Sequence, residues 1–375
     1  MISTNPNDRA RRQLMAPAKA RIAVVGAGLI GKRHAAAIAA SARAELAMIV
    51  EPSDAGGEVA RAHGVPWMKS LDEGLATDGL DGVFLATPNQ IHGEGALACI
   101  EAGIPVLIEK PICNSVEEAH RVVEAAERKG VPIATGHHRR HNPLIAKAKS
   151  LIDDGRLGAI VAIHATTWFM KPDDYFDIEW RRRKGAGPIF LNLIHDIDLL
   201  HHLCGPVVQV HAMESNAVRG NEVEETAVIL LRFASGALGT INVSDTVVAP
   251  WSWELTAREN PAYPATLQDC CWIAGTHGSL SLPNLALWTN PAKRSWWEPI
   301  SATRFAVGFE DPLIRQADQF AAVVLDGEAP LVSGRVGLAA LEVIEAVKQS
   351  ANSGLPVSLS TKKKTGRPSR ELQFE

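Results

Sequence analysis

The sequence predicts two domains of different class: an α/β domain with a parallel sheet, then an α+β domain whose mostly antiparallel open sheet is covered by helices on one face. Three observations predict this. The 375 residues exceed the roughly 100–200 that one domain usually holds. Up to Asn142 short apolar runs alternate with helix-like segments, the pattern of βαβ units. From Gly158 the runs lengthen, several alternate apolar with polar residues, and few helices separate them, which suits antiparallel pairing.

Taken in order, Ile22–Val25, Leu46–Val50, Val83–Ala86, Val106–Ile108 and Ile133–Thr135 read as strands of the first domain. Ile30–Ser41, Glu58–His63, Ile91–Ala102 and Ser115–Lys129 read as the helices between them. The boundary is expected near Asn142-Pro143, dividing the chain into 21–142 and 143–361. In the second part, Ala159–Thr167, Val207–Met213, Ala227–Phe233, Ala237–Ser244 and Ser252–Ala257 read as strands. Phe190–Leu203 and Pro312–Leu325 read as helices, and so does Gly334–Ser353, whose Leu338, Leu341, Ile344 and Val347 recur at helical spacing. No internal repeat stands out.

Composition narrows the function classes. A chain 46% hydrophobic and 21% charged is ordinary for a globular protein. The net charge of -4 and pI near 6.4 give no global attraction to nucleic acid or to a membrane surface. No run approaches the roughly 18 apolar residues of a membrane span. Cys99, Cys113, Cys204, Cys270 and Cys271 lie in apolar stretches without metal-finger or CxxC spacing, so reduced thiols of a cytoplasmic protein are expected. Residues 1–20 read as a disordered tail; Arg11-Arg12 is followed by no apolar export segment except RIAVVGAG, better read as the first strand. Residues 362–375 read as a solvated basic tail.

RIAVVGAGLIGKRH carries Gly26, Gly28 and Gly31 as GxGxxG directly after a strand and at a helix start. The first glycine permits the tight turn, the second lets backbone approach a pyrophosphate, and the third permits close helix–strand packing. The anion would sit against free N–H groups at the helix N-terminus. The candidate cradle is therefore Gly26, Ala27, Gly28, Leu29, Ile30 and Gly31. Glu51 ends the second strand, where an acid hydrogen-bonds a ribose 2′-hydroxyl and repels a 2′-phosphate, favouring NAD over NADP. NADP stays open because Lys32 or Arg33 could reach an extra phosphate.

ATPNQIHGEGALACIEAGIPVLIEKP, Ala86 to Pro111, resembles the TPNxxH and EKP motifs of the Gfo/Idh/MocA (glucose–fructose oxidoreductase / inositol dehydrogenase) family. The glycine loop, Arg140 in GHHRRHNP and a later glycine-rich helix follow in family order, over about Arg21 to Leu359. The resemblance implies a Rossmann NAD-binding domain, a substrate and oligomerisation domain, and a homodimer or homotetramer. It implies that Lys110 lies beside the nicotinamide, hydrogen-bonds the substrate hydroxyl and helps to move its proton. A desolvated cation suits that task, because it stabilises alkoxide character as hydride leaves carbon. It further implies that Thr87, Pro88, Asn89 and His92 line the cofactor, that Glu109 partners the lysine charge or contacts the cofactor, and that His138 faces substrate or cofactor. Arg140 is implied to be a structural ion partner, and the lysine–proline bond is commonly cis in the family.

GAGPIFLNLIHDIDLLHHLCG, Gly185 to Gly205, resembles the family's site helix, in which an acid precedes a histidine by four positions. Here Leu191 stands four before His195, so that acid is absent, and Asn192 is the candidate stand-in. Asn192, His195 and Asp198 are spaced to share one broad helix face. His195 is a candidate acid/base, and Asn192 a candidate for holding a substrate hydroxyl. Asp198 either orients the His195 ring or serves as a structural ion-pair residue. The run of His195, Asp196, Asp198, His201 and His202 lacks HExxH, and no metal is expected. In DYFDIEWRRRKGAG, Trp180 and Arg181 suit a sugar ring and an acidic group, with a solvated basic loop as the alternative. Trp251, Trp253 and Tyr263 could form another wall or pack on the sheet.

These readings converge on an NAD-dependent dehydrogenase acting on a secondary hydroxyl of a sugar, sugar derivative or cyclic polyol, with no nucleic-acid or membrane partner. One alternative is a cofactor-recycling enzyme that oxidises transiently to cleave a glycoside or convert a dihydrodiol. The other is a non-catalytic dinucleotide-binding regulator, against which the presence of both Lys110 and His195 argues.

Overall fold

A computed structural model of the chain describes residues 18–359. Both expected tails, with Arg11-Arg12 and the basic C-terminal run, lie almost wholly outside the described residues. Ala20, expected in the tail, already belongs to the first strand.

Strands β1 (Ala20–Val25), β2 (Ala44–Val50), β3 (Trp67–Met68), β4 (Gly82–Leu85), β5 (Val106–Ile108) and β6 (Ile133–Thr135) form a parallel sheet in the order β3-β2-β1-β4-β5-β6. Helices α1 (Leu29–Ala40), α2 (Asp54–His63), α3 (Leu71–Leu75), α4 (His92–Glu101) and α5 (Val116–Lys129) connect them. β4 and β5 are buried at every residue, which is why they read as unbroken apolar runs rather than alternating ones. The strand order reverses between β1 and β4, and a crevice opens at such a switch point beyond the carboxyl ends of the strands. The turn at Gly26, the segments at Thr87 and at Glu109-Lys110, and His137 all leave the sheet on that edge.

The expected boundary at Asn142-Pro143 is a helix start. The Asn142 side-chain oxygen accepts the Leu144 N–H at 2.8 Å. Pro143 takes a first-turn position, where its missing N–H is not needed, and α6 runs Pro143–Asp153. The second sheet comprises β7 (Ile160–Trp168), β8 (Val207–Ser215), β9 (Thr226–Phe233), β10 (Leu238–Ser244), β11 (Cys271–Gly275), β12 (Ser279–Leu282), β13 (Ala286–Thr289), β14 (Ser301–Arg304) and β15 (Val357–Ser358). Their order is β14-β13-β12-β11-β7-β10-β9-β8-β15. β7 and β10 pair in parallel and the other neighbours antiparallel, so the sheet is mixed. Side chains alternate with period two in either pairing, so the sequence carries no mark of the parallel pair.

One expected strand is absent. Ser252–Ala257 forms a single helical turn, α8 (Trp253–Thr256), capped by the Ser252 hydroxyl on the Leu255 N–H at 3.4 Å. Four residues are too few to display a helical period. Helices α7 (Ile194–Cys204) and α10 (Gly334–Ser353) cover one face of the sheet. The other face exposes Met213 and Leu238, with Val228, Leu230 and Trp272 around them.

The strands divide at residue 142, but the packing does not. Helix α9 (Pro312–Asp326) returns to the first sheet, where Ala317, Phe320 and Ala321 complete a core with Ile22, Val24 and Phe84. Phe84 and Phe320 meet edge to face at 5.2 Å between centroids. Leu338 and Leu341 of α10 enter the core on the other side of that sheet.

Candidate active site

The three glycines of the first turn are constrained differently. Gly26 has φ of +100°, and a Cβ there would lie 2.5 Å from the Ala86 carbonyl oxygen. A Cβ on Gly31 would lie 2.0 Å from the carbonyl oxygen of Gly26. Both are demanded by the fold itself. Around Gly28, which caps α1, a Cβ would meet nothing within 4 Å. The space before it is part of a cleft of about 760 Å³ lined also by Glu51, Pro52, Lys69, Thr87 and Pro88. A glycine that the protein does not require, at a helix N-terminus facing an open cleft, fits the close approach of a dinucleotide pyrophosphate.

Glu51 lines the same cleft and is tied to its rim. Its carboxylate accepts the Ala27 N–H at 3.0 Å, and the Ser53 N–H and hydroxyl at 3.1 and 2.7 Å. Partial burial pushes its pKa up, but these hydrogen bonds outweigh burial and hold it below the usual carboxylate range. An anion therefore stands where an adenosine ribose would be met.

Lys110 follows β5, and its bond to Pro111 is cis. Its ammonium donates to the Leu191 carbonyl at 3.1 Å, and its backbone N–H to Glu109 at 3.0 Å. Burial draws the lysine pKa down, and Glu109 opposes that in part. The main partner of Glu109 is His34, at 2.7 Å and buried with it. Despite its burial, Glu109 is held down at about 2 by His34, with Lys110 adding to the effect. Glu109 is thus a buried counter-ion that also borders the cleft of Lys110. His92 borders the same cleft. Its ring nitrogens face the carbonyls of Pro111 and Thr87 at 2.8 and 2.9 Å, so it fastens the lysine turn to the Thr87 segment.

The lysine meets the second domain at a π-helical turn, Ile189–Leu193, which leads into α7. Such single π turns gather at functional sites. Asn192 and His195 then line one cleft of about 600 Å³ together with Lys110, His138, Arg139 and Glu254. His195 is buried and packs edge-on against His137 and His138, with centroids 5.6 and 5.3 Å away. Burial, with the charges of Lys110 and Arg139, holds it well below the ordinary imidazole range, so the ring is neutral near pH 7. Its Nδ1 is buried without a partner.

Asp198 does not reach His195. Arg140 pairs with it instead: Nε donates to one carboxylate oxygen at 2.9 Å, and a terminal nitrogen donates to the Asp198 backbone carbonyl at 3.0 Å while lying 2.8 Å from the other carboxylate oxygen. A charge-assisted hydrogen bond inside a buried ion pair commits both groups. Of the two readings of Asp198, the structure supports the ion-pair role.

Arg181 is drawn away as well. It stacks on Tyr175 at 4.1 Å and donates to that residue's carbonyl at 2.9 Å, outside the cleft lining. Trp180 does line the cleft, as do Arg183, Lys184 and Tyr263. Asn89 and His138 line it too, and His138 lies 3.5 Å from the buried carboxylate of Glu259. Thr87 belongs to both clefts and joins them.

Sequence reading missed Arg139, Glu254 and Glu259. Arg139 is buried between Asp196 and Glu254, 2.8 Å from each. Glu254 accepts the Asn192 amide N–H at 3.2 Å. The available signal was a carboxylate directly after the two tryptophans of PWSWEL, in a segment read as strand from Ser252. Among the described residues, no group of three or more His, Cys, Asp or Glu is placed to hold a metal, and no helix is long and apolar enough to cross a membrane.

Comparison with known proteins follows the same division. Residues 20–137 match the family model described as "Oxidoreductase family, NAD-binding Rossmann fold". Residues 145–281 match the GFO/IDH/MocA C-terminal domain. The chain is 28% identical over 357 residues to scyllo-inositol 2-dehydrogenase (NAD(+)) of Bacillus subtilis, covering 92% of this chain and 97% of that one. It is 26% identical over 351 residues to myo-inositol 2-dehydrogenase of Thermotoga maritima, covering 90% and 98%. Its fold is similar to the WlbA dehydrogenase of Bordetella pertussis, solved in complex with NADH and UDP-GlcNAcA. There the TM-score is 0.74 and the identity 29%, over 92% of this chain and all of the other.

Proposed function

The chain belongs to the Gfo/Idh/MocA family of NAD-binding oxidoreductases, and we propose that it oxidises a secondary hydroxyl of a sugar, sugar derivative or cyclic polyol, with Lys110 as the immediate proton partner. One observation carries this reading: Lys110, Asn192 and His195 converge on a cleft that meets the glycine-turn cleft at Thr87. A ring held there lies within reach of a cofactor held on Gly26–Gly31, Glu51, Thr87 and Pro88. NAD in that cradle supplies the hydride acceptor.

The protein's own groups do the rest. The Lys110 ammonium, fixed on the Leu191 carbonyl, keeps further N–H donors for a substrate oxygen. Its burial favours release of a proton and strengthens its pull on a developing alkoxide. His195, neutral near pH 7, is ready to accept a proton from the substrate side. Anionic Glu51 favours NAD over NADP. Trp180 and Tyr263 offer aromatic faces to a sugar ring. The exposed apolar face of the second sheet is covered by a second copy in a dimer or tetramer, and five free cysteines suit a reducing cytoplasm.

The test is NADH formation with a panel of pyranoses, sugar acids and inositols. At least one should be turned over, and Lys110→Ala should lose most of that turnover while retaining NADH binding. Near-normal turnover in Lys110→Ala on every accepted compound would overturn the assignment.

A further inference from the structure

The family acid absent at Leu191 leaves a question of charge: which carboxylate faces the substrate? Asp198 is committed to Arg140, Asp196 to Arg139 and Thr167, and Glu109 to His34. Glu259 is held by Asn142 at 2.7 Å. Glu254, from α8 and more than fifty residues further along the chain, is different. One of its oxygens accepts from Arg139 at 2.8 Å and from Asn192 at 3.2 Å. The other, Oε2, is buried and has no partner. The Asn192 amide, oriented by giving its N–H to Glu254, likewise leaves Oδ1 buried and unpartnered. Both residues line the cleft with Lys110.

A buried acceptor left without a donor is costly, and most such groups in native proteins find one. Two unpartnered acceptors, on residues that touch each other and line one cleft, call for a ligand that brings hydrogen-bond donors to it. Ammonium groups would donate, but they would stand against the cations of Lys110 and Arg139. A hydroxyl can donate to an acceptor while accepting from Lys110.

Building on the dehydrogenase reading, we propose that Glu254 is a substrate-contacting carboxylate. Its Oε2 accepts a hydrogen bond from the hydroxyl on the carbon next to the one being oxidised, with Asn192 Oδ1 as a second acceptor for that side of the ring, so that the enzyme selects vicinal diols over lone secondary alcohols. Glu254 thus occupies in space the role vacated at position 191 in sequence. No covalent step is added: the hydroxyl being oxidised keeps its hydrogen for Lys110 in its unprotonated form or for neutral His195.

The experiment pairs each accepted sugar or inositol with its analogue lacking the hydroxyl next to the oxidised carbon, in wild type, Glu254→Gln and Lys110→Ala. A hydrogen bond to a charged group sets the scale at roughly 10- to 100-fold. Wild type should prefer the full diol over the deoxy analogue by that factor in kcat/KM. Glu254→Gln should lose roughly that factor on the diol and little on the analogue, with NADH affinity unchanged, measured below a thermal midpoint that falls with loss of the Arg139 ion pair. Glu254→Asp, which keeps the charge and shortens the reach, should recover part of the discrimination. That split is one a packing role would not produce. If Lys110→Ala abolishes turnover but Glu254→Gln discriminates as wild type does, this proposal fails and the dehydrogenase reading stands. If wild type turns over no compound of the panel, both fall.

Discussion

Gly28 and Gly31 look equivalent in the motif, yet a side chain is forbidden at one by the protein and at the other by a ligand. Gly31→Ala must push Cβ into the Gly26 carbonyl, and overpacking of that kind costs about 1–3 kcal/mol or more. Gly28→Ala has room and a φ of -70°, so it should leave stability unchanged or raise it by about 0.4–1 kcal/mol. It should weaken NADH binding by roughly tenfold or more, a loss of about 1.4 kcal/mol. Thermal unfolding with fluorescence titration of both variants separates the two effects; equal NADH affinity in Gly28→Ala would refute the assignment of that cleft. Asp198→Ala should act on the fold instead. It strands Arg140 in the interior, at roughly 3–5 kcal/mol, readable as a lowered denaturation midpoint. At this scale the sequence exposed residues whose chemistry is written in a local motif, Lys110 and His195 among them. It could not expose Glu254, whose neighbours arrive from three other segments. Asp198 misled for a related reason: helical spacing put it on the His195 side, and Arg140, distant in sequence, claimed it.

Helix α7 and the short segment His138–His141 concentrate imidazoles in a dry place. His137, His201 and His202 are pushed down to about 4 and His141 to about 3, chiefly by burial. Their folded pKa values lie below the ordinary 6.5, so on acidification the unfolded chain takes up protons first. Their contribution is complete above about pH 6.5 and is lost as pH falls from there toward 4. Glu109, at about 2, works in the same direction lower down: its contribution holds above about 4.5 and fades toward 2. Stability should therefore fall between pH 7 and pH 4, with a ceiling of about 1.4 kcal/mol per pH unit for each histidine. Urea midpoints at pH 7, 6 and 5 measure this, and a flat series would show that these rings are not held neutral. Elements with room for a full period were legible, as α5 and α10 were. The π turn at Ile189–Leu193 was not, since one extra residue in a turn leaves no composition signature, and neither was the four-residue α8.

At the scale of the molecule, the open sheet face predicts association. Met213 is 75% exposed and Leu238 53%, amid a broad apolar surface that single chains rarely leave to water. Light scattering at micromolar concentration should give a dimer or tetramer, and Leu230→Glu with Leu238→Glu should shift it toward monomer. The return of α9 to the first sheet has a consequence for synthesis. A nascent chain leaves the ribosome with the nucleotide-binding sheet made by residue 135, while Phe320, which seals it against Phe84, is still almost two hundred residues away. Until then Ile22, Val24 and Phe84 have an open side. The first half to be made is thus the last to be finished. A fragment of residues 18–142 should bind a hydrophobic dye and fail to hold NADH. The same fragment joined by a flexible linker to residues 311–327 should lose much of that dye binding, because the helix that closes its core has been brought forward in time.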